Sequence, residues 1–240
     1  MPALAEIDGH TFYLPALGPA SVVFDLGAAG GTFSTTVRRL AGCRCIAAEP
    51  SPTVFADLSA LPGIETHHVA LAGRDGPLAM EVGGHGAQGY WLRQSDRAGA
   101  LDAGAVQVEG VTFETLKARA GVDFVDLIKL DIEGAEFDVF AAASDAALAR
   151  VGQWSVEFHD FLDPSLAPKV AEVIRRLEGL GFEAIVMTRR GHGDVLFLNR
   201  AHLGLDAWQL FCMRWPLKYG RGIRRMLARG FGIGSGKQAA

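Results

Sequence analysis

Val22-Val23-Phe24-Asp25-Leu26-Gly27-Ala28-Ala29-Gly30-Gly31 is the stretch from which the fold can be read. A short apolar run that breaks into glycines is a buried strand followed by a sharp turn, and Gly27, Gly30 and Gly31 can adopt positive φ at little cost. Thr32 to Leu40 then reads as a helix stopped by Gly42, and Cys45-Ile46-Ala47-Ala48 as a second buried strand ending at Glu49. Ser51-Pro52 is an N-cap and first-turn proline; the helix it starts is broken by Pro62-Gly63. Ile64 to Leu71 reads as a third strand. The order β-α-β-α-β with short connections demands a parallel sheet with right-handed crossovers.

Outward from this unit the pattern loosens between Gly73 and Gly110, where glycines interrupt any period and only Leu78 to Val82 suggests an extra strand. Val125 to Asp131 is a fourth core strand, and Gly134-Ala135-Glu136 opens a helix that buries Phe137 and Phe140. Trp154 to Phe158 is a fifth strand. Asp163 and Pro164 start a helix whose Val170, Val173, Ile174, Leu177 and Leu180 keep the 3.6-residue spacing as far as Gly181. Phe182 to Met187 and Val195 to Leu198 read as a closing antiparallel hairpin, and the short segment before Val22 offers little material for a substrate lid.

A chain of 240 residues holds one substantial domain, and 49% hydrophobic with 21% charged residues is the balance of a soluble globular protein. No apolar run approaches the roughly 18 residues of a membrane span, and the first twenty residues lack the basic start and apolar stretch of a secretory signal, so the cytoplasm is expected. Cys43 and Cys45 face the same way across Arg44 and read, with Cys212, as small apolar residues rather than as a disulfide or metal site. Charge divides the chain: after Asp206 there is no acidic residue but seven basic ones, so a +7 tail follows a body of −11. The expected organisation is a domain over 1–204 and a basic amphipathic tail over 205–240, packed as a helix on the acidic body or touching a membrane surface or anionic acceptor. A net charge of −4 with no other basic stripe argues against nucleic acid, and nothing reads out an oligomeric state.

Ligands of open parallel sheets bind beyond the carboxyl ends of the strands, where Asp25, Glu49, Asp131, Glu157 and His159 fall here. Carboxylates at such positions are expensive to desolvate, which favours a site over chance. A dinucleotide fingerprint needs a second glycine where Ala29 stands, so the loop suits a cofactor without phosphates. S-adenosylmethionine meets that requirement: Asp25 suits its positive charge, the loop amides its carboxylate, and Glu49 its ribose hydroxyls. Glu49 would serve NAD equally well.

The blocks Asp25 to Ser34, Glu49-Pro50-Ser51-Pro52, Val69-Ala70-Leu71, Val111 to Leu116, Asp126 to Glu136 and Glu157-Phe158-His159 resemble, in order and over about residues 21 to 160, the FkbM-type methyltransferases. The resemblance implies a Rossmann-like class I methyltransferase fold: a doubly wound, mostly parallel seven-stranded sheet in three α/β/α layers. It also implies transfer of a methyl group to a hydroxyl of a saccharide or other small-molecule natural product. The matched blocks imply cofactor contacts at Asp25, Gly27, Ala28, Gly31, Glu49, Pro50, Ser51 and Ala70. Two residues depart from the family's pattern, Ala29 where Asn is usual and Glu114 where Asp is usual.

A hydroxyl acceptor must lose its proton, and His159 is the expected base because imidazole titrates near neutrality and follows Glu157 by two residues along an extended strand end. Asp131 would orient the acceptor. Asp131, Glu157 and His159 could equally hold Mg²⁺, as in the catechol O-methyltransferases that the sheet resembles. Glu133 and Glu136 surround a helix start and read at least as well as capping groups, and Lys129, inside an apolar strand, as the partner of a carboxylate. His85, ahead of Tyr90-Trp91, reads as part of the acceptor side or of a surface loop. The competing functions are an NAD-dependent dehydrogenase and a non-catalytic cofactor-binding or assembly module.

Overall fold

Alternate residues of the run Val22–Leu26 are buried on opposite faces, Val23 with Cys45 and Leu127 on one and Phe24 with Ile46 and Ile128 on the other. A strand covered on both faces belongs in the middle of a parallel sheet. The computed structural model describes residues 4–82, 90–91, 105–188 and 191–215. The chain starts with a hairpin, β1 (Leu4–Ile7) and β2 (His10–Tyr13), and enters the sheet through β3 (Val22–Leu26), α1 (Thr32–Ala41), β4 (Arg44–Ala48), α2 (Pro52–Ser59) and β5 (Ile64–His67). A second sheet holds β6 (Ala70–Leu71), β7 (Gly76–Val82), β8 (Tyr90–Trp91) and β9 (Ala105–Val111). Then follow α3 (Phe113–Arg119), β10 (Leu127–Leu130), α4 (Glu136–Ala142), α5 (Asp145–Leu148), β11 (Gln153–Val156) and α6 (Ala167–Gly179). The hairpin β12 (Phe182–Val186) and β13 (Val195–Asn199), α7 (Arg200–Leu203) and α8 (Ala207–Trp215) close the described chain.

The seven-stranded sheet has the order β12-β13-β11-β10-β3-β4-β5, parallel except for β13, which runs antiparallel to both β11 and β12. The winding reverses between β3 and β10, so the crevice at their carboxyl ends is the expected ligand position. One face is covered by α3, α4 and α6, where Trp154 is fully buried between Phe113 and Phe140 with ring centroids 5.3 and 5.2 Å away. The other face is covered by Phe33 and Val37 of α1 together with Ile7 and Phe12 of the first hairpin. These are the three layers and the sheet that the family resemblance implies.

Two expectations about strands are corrected. The run Ile64 to Leu71 is not one strand: β5 pairs with β4 in the main sheet, and β6 pairs with β9 in the second. The chain turns at His67-His68, where Val69 N–H donates to the His67 carbonyl and the His68 ring stacks on Phe55 at 4.5 Å. The segment before Val22 is also more than a short lead-in. Gln153, fully buried in β11, accepts from Tyr13 N–H (2.8 Å) and donates to the Tyr13 carbonyl (3.2 Å), while Thr11 Oγ1 donates to Asp194 Oδ2 (2.6 Å). These bonds fasten β2 across the sheet beside the crevice.

At the other end Leu205, Leu210 and Met213 are buried against Ile185, Leu196 and Leu198, and Arg214 pairs with Glu183. The start of the tail is thus a helix packed on the body; positions 216–240 lie outside the described residues, as does the expectation for His85. The three cysteines are free thiols, with Cys43 and Cys45 Sγ 3.7 Å apart in the core. No helix among the described residues is long and apolar enough to cross a membrane.

Candidate active site

The turn after β3 is shaped by close approach. Gly27 N–H and Ala28 N–H both donate to the Ala48 carbonyl at 3.0 Å, and a Cβ on Gly27 would run into the carbonyl of Asp131. Gly27 (φ 78°) and Gly31 (φ 74°) take the left-handed conformation, but Gly30 does not, and the third such residue is Ala29 (φ 45°). An L-residue with a Cβ is disfavoured there by about 1–2 kcal/mol. Ala29 is held in place by its N–H, which donates to Glu49 Oε2 at 3.0 Å.

Glu49 follows β4 directly and is nearly buried; its Oε1 accepts from Ser51 N–H at 2.8 Å. Burial pushes its carboxyl up, opposed by these two amide bonds. Each oxygen keeps a further lone pair for a hydroxyl donor. Glu49 lines a cleft of about 510 Å³ together with Gly27, Ala29, Gly30, Pro50, Val54, Val69, Leu71, Met80, Asp131, Ile132 and Glu133. Asp8, from the turn of the first hairpin, and Ala48 complete the wall.

Of the cofactor contacts expected from the sequence, Gly27, Glu49 and Pro50 therefore line the cleft, whereas Ala28, Gly31, Ser51 and Ala70 stand behind it. Gly31 is the N-cap of α1, Ser51 caps α2 and donates to Glu49, and Ala70 is buried between the two lining residues Val69 and Leu71. Asp25 is placed differently from the expectation. Its carboxylate has no solvent exposure, accepts from Ser34 N–H (3.2 Å) and Oγ (2.7 Å), and meets Lys129 Nζ 3.3 Å away. The positive charge it balances is that of the protein's own lysine.

Lys129 projects from β10, next to β3, and donates to the Gly27 carbonyl. Burial would lower its pKa, but the charges of Asp25 and Asp131 outweigh this and raise it. Asp131, the next residue but one, has Oδ2 within 3.7 Å of Lys129 Nζ and 3.6 Å of His10 Nε2, and Oδ1 within 3.7 Å of His159 Nε2. Against the upward push of burial, these neighbours hold its carboxyl below the ordinary value.

Asp131 and His159 are thus brought together as expected, and Glu157 is close: the ligating atoms of His10, Asp131 and Glu157 lie within 4.8 Å of one another, as do those of Asp131, Glu133 and His159. His159 is not on an extended strand end, however. It begins a 3-10 turn, His159–Phe161, that swings the imidazole against Glu136 (Nδ1 to Oε1, 3.1 Å) and Glu133 (Nε2 to Oε2, 3.5 Å). Burial would lower its pKa, but the Glu136 bond and the charges of Glu136, Asp131 and Glu133 raise it to about 9. At neutral pH this imidazole is therefore a cation, which corrects the expectation that it titrates near neutrality and serves as a ready base. Burial pushes the carboxyls of Glu133 and Glu157 upward instead.

His10 and Asp8 were missed in the sequence. The signal that finds them is Asp8-Gly9 between Ile7 and the alternating run His10-Thr11-Phe12-Tyr13, a two-residue hairpin turn in which both central residues have positive φ (53° and 83°).

The model of the methyltransferase FkbM domain matches residues 25–184. The AMB antimetabolite synthetase AmbE of Pseudomonas aeruginosa is 27% identical over 212 residues, covering 71% of this chain; the chain spans 10% of that protein's length. Similar solved structures include an rRNA methylase from Streptococcus thermophilus (11% identity, 77% of this chain and 88% of that one, TM-score 0.45). Another is the fibrillarin pre-rRNA processing protein of Methanococcus jannaschii (14% identity, 82% and 69%, TM-score 0.44). With the match running from the end of β3 to β12, the chain belongs to the FkbM family of S-adenosylmethionine-dependent methyltransferases.

Proposed function

We propose that this protein transfers the methyl group of S-adenosylmethionine to a hydroxyl of a saccharide or small natural product. The observation that carries the reading is the cleft itself, lined by Glu49, which two backbone amides anchor, and by Asp131 and Glu133. The lining fits the cofactor. Ala29 stands in its wall where a dinucleotide fingerprint needs glycine, which favours a cofactor without a pyrophosphate over NAD, and space is open at Gly30. Glu49 would take the ribose hydroxyls and Pro50, Val54, Val69, Leu71 and Met80 the adenine; bound there, the cofactor supplies an electrophilic methyl group on a sulfonium.

The chain's own residues then have to bring an acceptor oxygen into line and remove its proton. Alignment supplies most of the acceleration in such a displacement. Glu133 is the carboxylate suited to take the proton: it lines the cleft, its side chain is 39% exposed, and burial pushes its carboxyl above the ordinary value. Asp131, kept ionised by its nitrogen neighbours, orients the hydroxyl, with Glu157 behind it. Mg²⁺ does not fit this donor set well. Asp131 already faces Lys129, His10 and a protonated His159, and a hard cation prefers oxygens free of such competition. No step is routed through a metal.

The experiment is a methyl-transfer assay over hydroxylated acceptors with and without EDTA, beside calorimetry with the cofactor. Glu49→Gln should weaken S-adenosylmethionine binding about tenfold, and Glu133→Gln should lower kcat on the order of a hundredfold with unchanged cofactor affinity. Binding of NAD in place of S-adenosylmethionine overturns the reading. Activity in the Glu133 variant equal to wild type removes that residue's role, and an EDTA-sensitive rate restored by Mg²⁺ removes the metal-free mechanism.

The tail is proposed as a contact with anionic membrane surfaces. The stacked pair Trp208 (69% exposed) and Phe211 on α8 is followed in the sequence by seven basic residues and no acid. Co-sedimentation with phosphatidylglycerol vesicles that survives Trp208→Ala/Phe211→Ala overturns it.

A further inference from the structure

Glu136 is the first residue of α4, yet its side chain turns back out of the helix. It has no solvent exposure, and one oxygen, Oε1, takes three contacts: Ile132 N–H at 3.1 Å, Gly134 N–H at 3.1 Å and His159 Nδ1 at 3.1 Å. The other oxygen, Oε2, is buried with no hydrogen-bond partner. A helix start is served as well by an exposed carboxylate or a hydroxyl. Burying a charge and leaving one of its oxygens unpaired is costly, so capping alone does not account for this residue.

The two amides bracket Glu133, a non-glycine residue in the left-handed region (φ 55°) that lines the cleft with Asp131 and Ile132. Strain of this kind persists only where the surroundings enforce it. Beyond the imidazole, Nε2 lies 3.5 Å from Glu133 Oε2 and 3.7 Å from Asp131 Oδ1. One buried oxygen therefore ties the strained, cleft-lining loop to the imidazole that faces the two carboxylates of that loop.

We propose that Glu136 is the positioning residue for the acceptor side of the cleft, fixing the His159 ring through Nδ1 and the Glu133 backbone through the amides on either side of it. The proposal rests on the reading that the acceptor binds beside Asp131 and Glu133. Anchoring one ring nitrogen sets what the other can do: with Nδ1–H given to Glu136, Nε2–H is directed at Asp131 and Glu133 and keeps their oxygens in one arrangement for the incoming hydroxyl. The groups facing the imidazole are Glu136 from α4, Asp131 and Glu133 from the loop, and the Phe161 ring 5.6 Å away. Glu136 lies outside the cleft lining and acts only through its neighbours.

Glu136→Gln is the informative variant, because the carboxamide oxygen still accepts from both amides while the charge behind the imidazole is gone. On the full chain, nitrogen-15 NMR of the histidine rings should show His159 titrating at least one pH unit lower than in wild type. S-adenosylmethionine affinity should stay within threefold, and kcat should fall at least tenfold with less change in KM. An alkaline loss of activity that moves down together with the imidazole completes the expected result. If His159 titrates as in wild type while only the melting temperature drops, Glu136 is a structural cap and the proposal is overturned. The titration needs no turnover: should the wild type methylate no acceptor, the proposed function fails while an unmoved or moved His159 still decides the role of Glu136. Should Glu136→Gln not fold, His159→Gln tests the same link from the other side. It should speed amide exchange at Ile132 and Gly134 by tenfold or more, and unchanged exchange overturns the proposal.

Discussion

Lys129→Met tests how the two central strands are held together at their carboxyl ends. The ammonium lies 3.3 Å from Asp25 Oδ1 and 3.7 Å from Asp131 Oδ2, and donates to the Gly27 carbonyl. Asp25 is fully buried, and its Oδ1 has no hydrogen bond, only this ion pair. Methionine keeps the packing of the stem and removes the charge and the donor. What is left is a buried carboxylate without a counter-charge and a carbonyl without a partner. Breaking a buried pair on one side costs about 3–5 kcal/mol, and an orphaned carbonyl about 1–3 kcal/mol. Because one loop relaxes around both, the expected loss is about 4 kcal/mol, a large share of the roughly 5–15 kcal/mol by which domains are stable. Asp25→Asn/Lys129→Met removes the stranded charge as well and should recover at least about 2 kcal/mol of that loss. Urea unfolding followed by circular dichroism, with unchanged slope, reads both numbers from the midpoints. A loss below about 1 kcal/mol for the single variant, or a double variant no more stable than the single, refutes pairing as what holds this junction.

Three further outcomes follow from the same geometry. Ala29→Asn, which suits φ 45° better than alanine and keeps the amide that binds Glu49, should stabilise by about 0.5–1 kcal/mol in urea; a destabilised variant contradicts the assignment of strain. Gly27→Ala drives a Cβ into the Asp131 carbonyl and should cost at least about 3 kcal/mol and abolish calorimetric S-adenosylmethionine binding. His159, raised from 6.5 to about 9, adds stability that is fully present below pH 6.5 and is lost as pH climbs through 9. That contribution is on the order of 3 kcal/mol, and thermal melts of His159→Gln should lack this slope.

Elements whose residues interact with their immediate neighbours were legible in the chain. Val22–Leu26 and its glycines, the Ser51-Pro52 start of α2, the 3.6-residue spacing of α6 and the closing hairpin all lie where local pattern puts them. The same holds for Glu49, whose place at a strand end is a matter of counting residues from the turn. The break between β5 and β6 was not legible, because Val69 and Leu71 are as apolar as a continuing strand requires and only the second sheet draws them away. Nor was the change of role for Asp25 and His159.

By itself, then, the sequence determined the doubly wound sheet, the crevice at the carboxyl ends of β3, β4 and β10, and the family to which the chain belongs. Tertiary structure alone decided which charges meet there. Lys129 is one strand away from Asp25, His10 arrives from a hairpin 121 residues before Asp131, and Glu136 reaches His159 across 23 residues. Ionisation depends on distances of 3 to 4 Å and on exclusion of water. Neither quantity is set by spacing along the chain, so a histidine that looked like a base is held between carboxylates that raise its pKa to about 9.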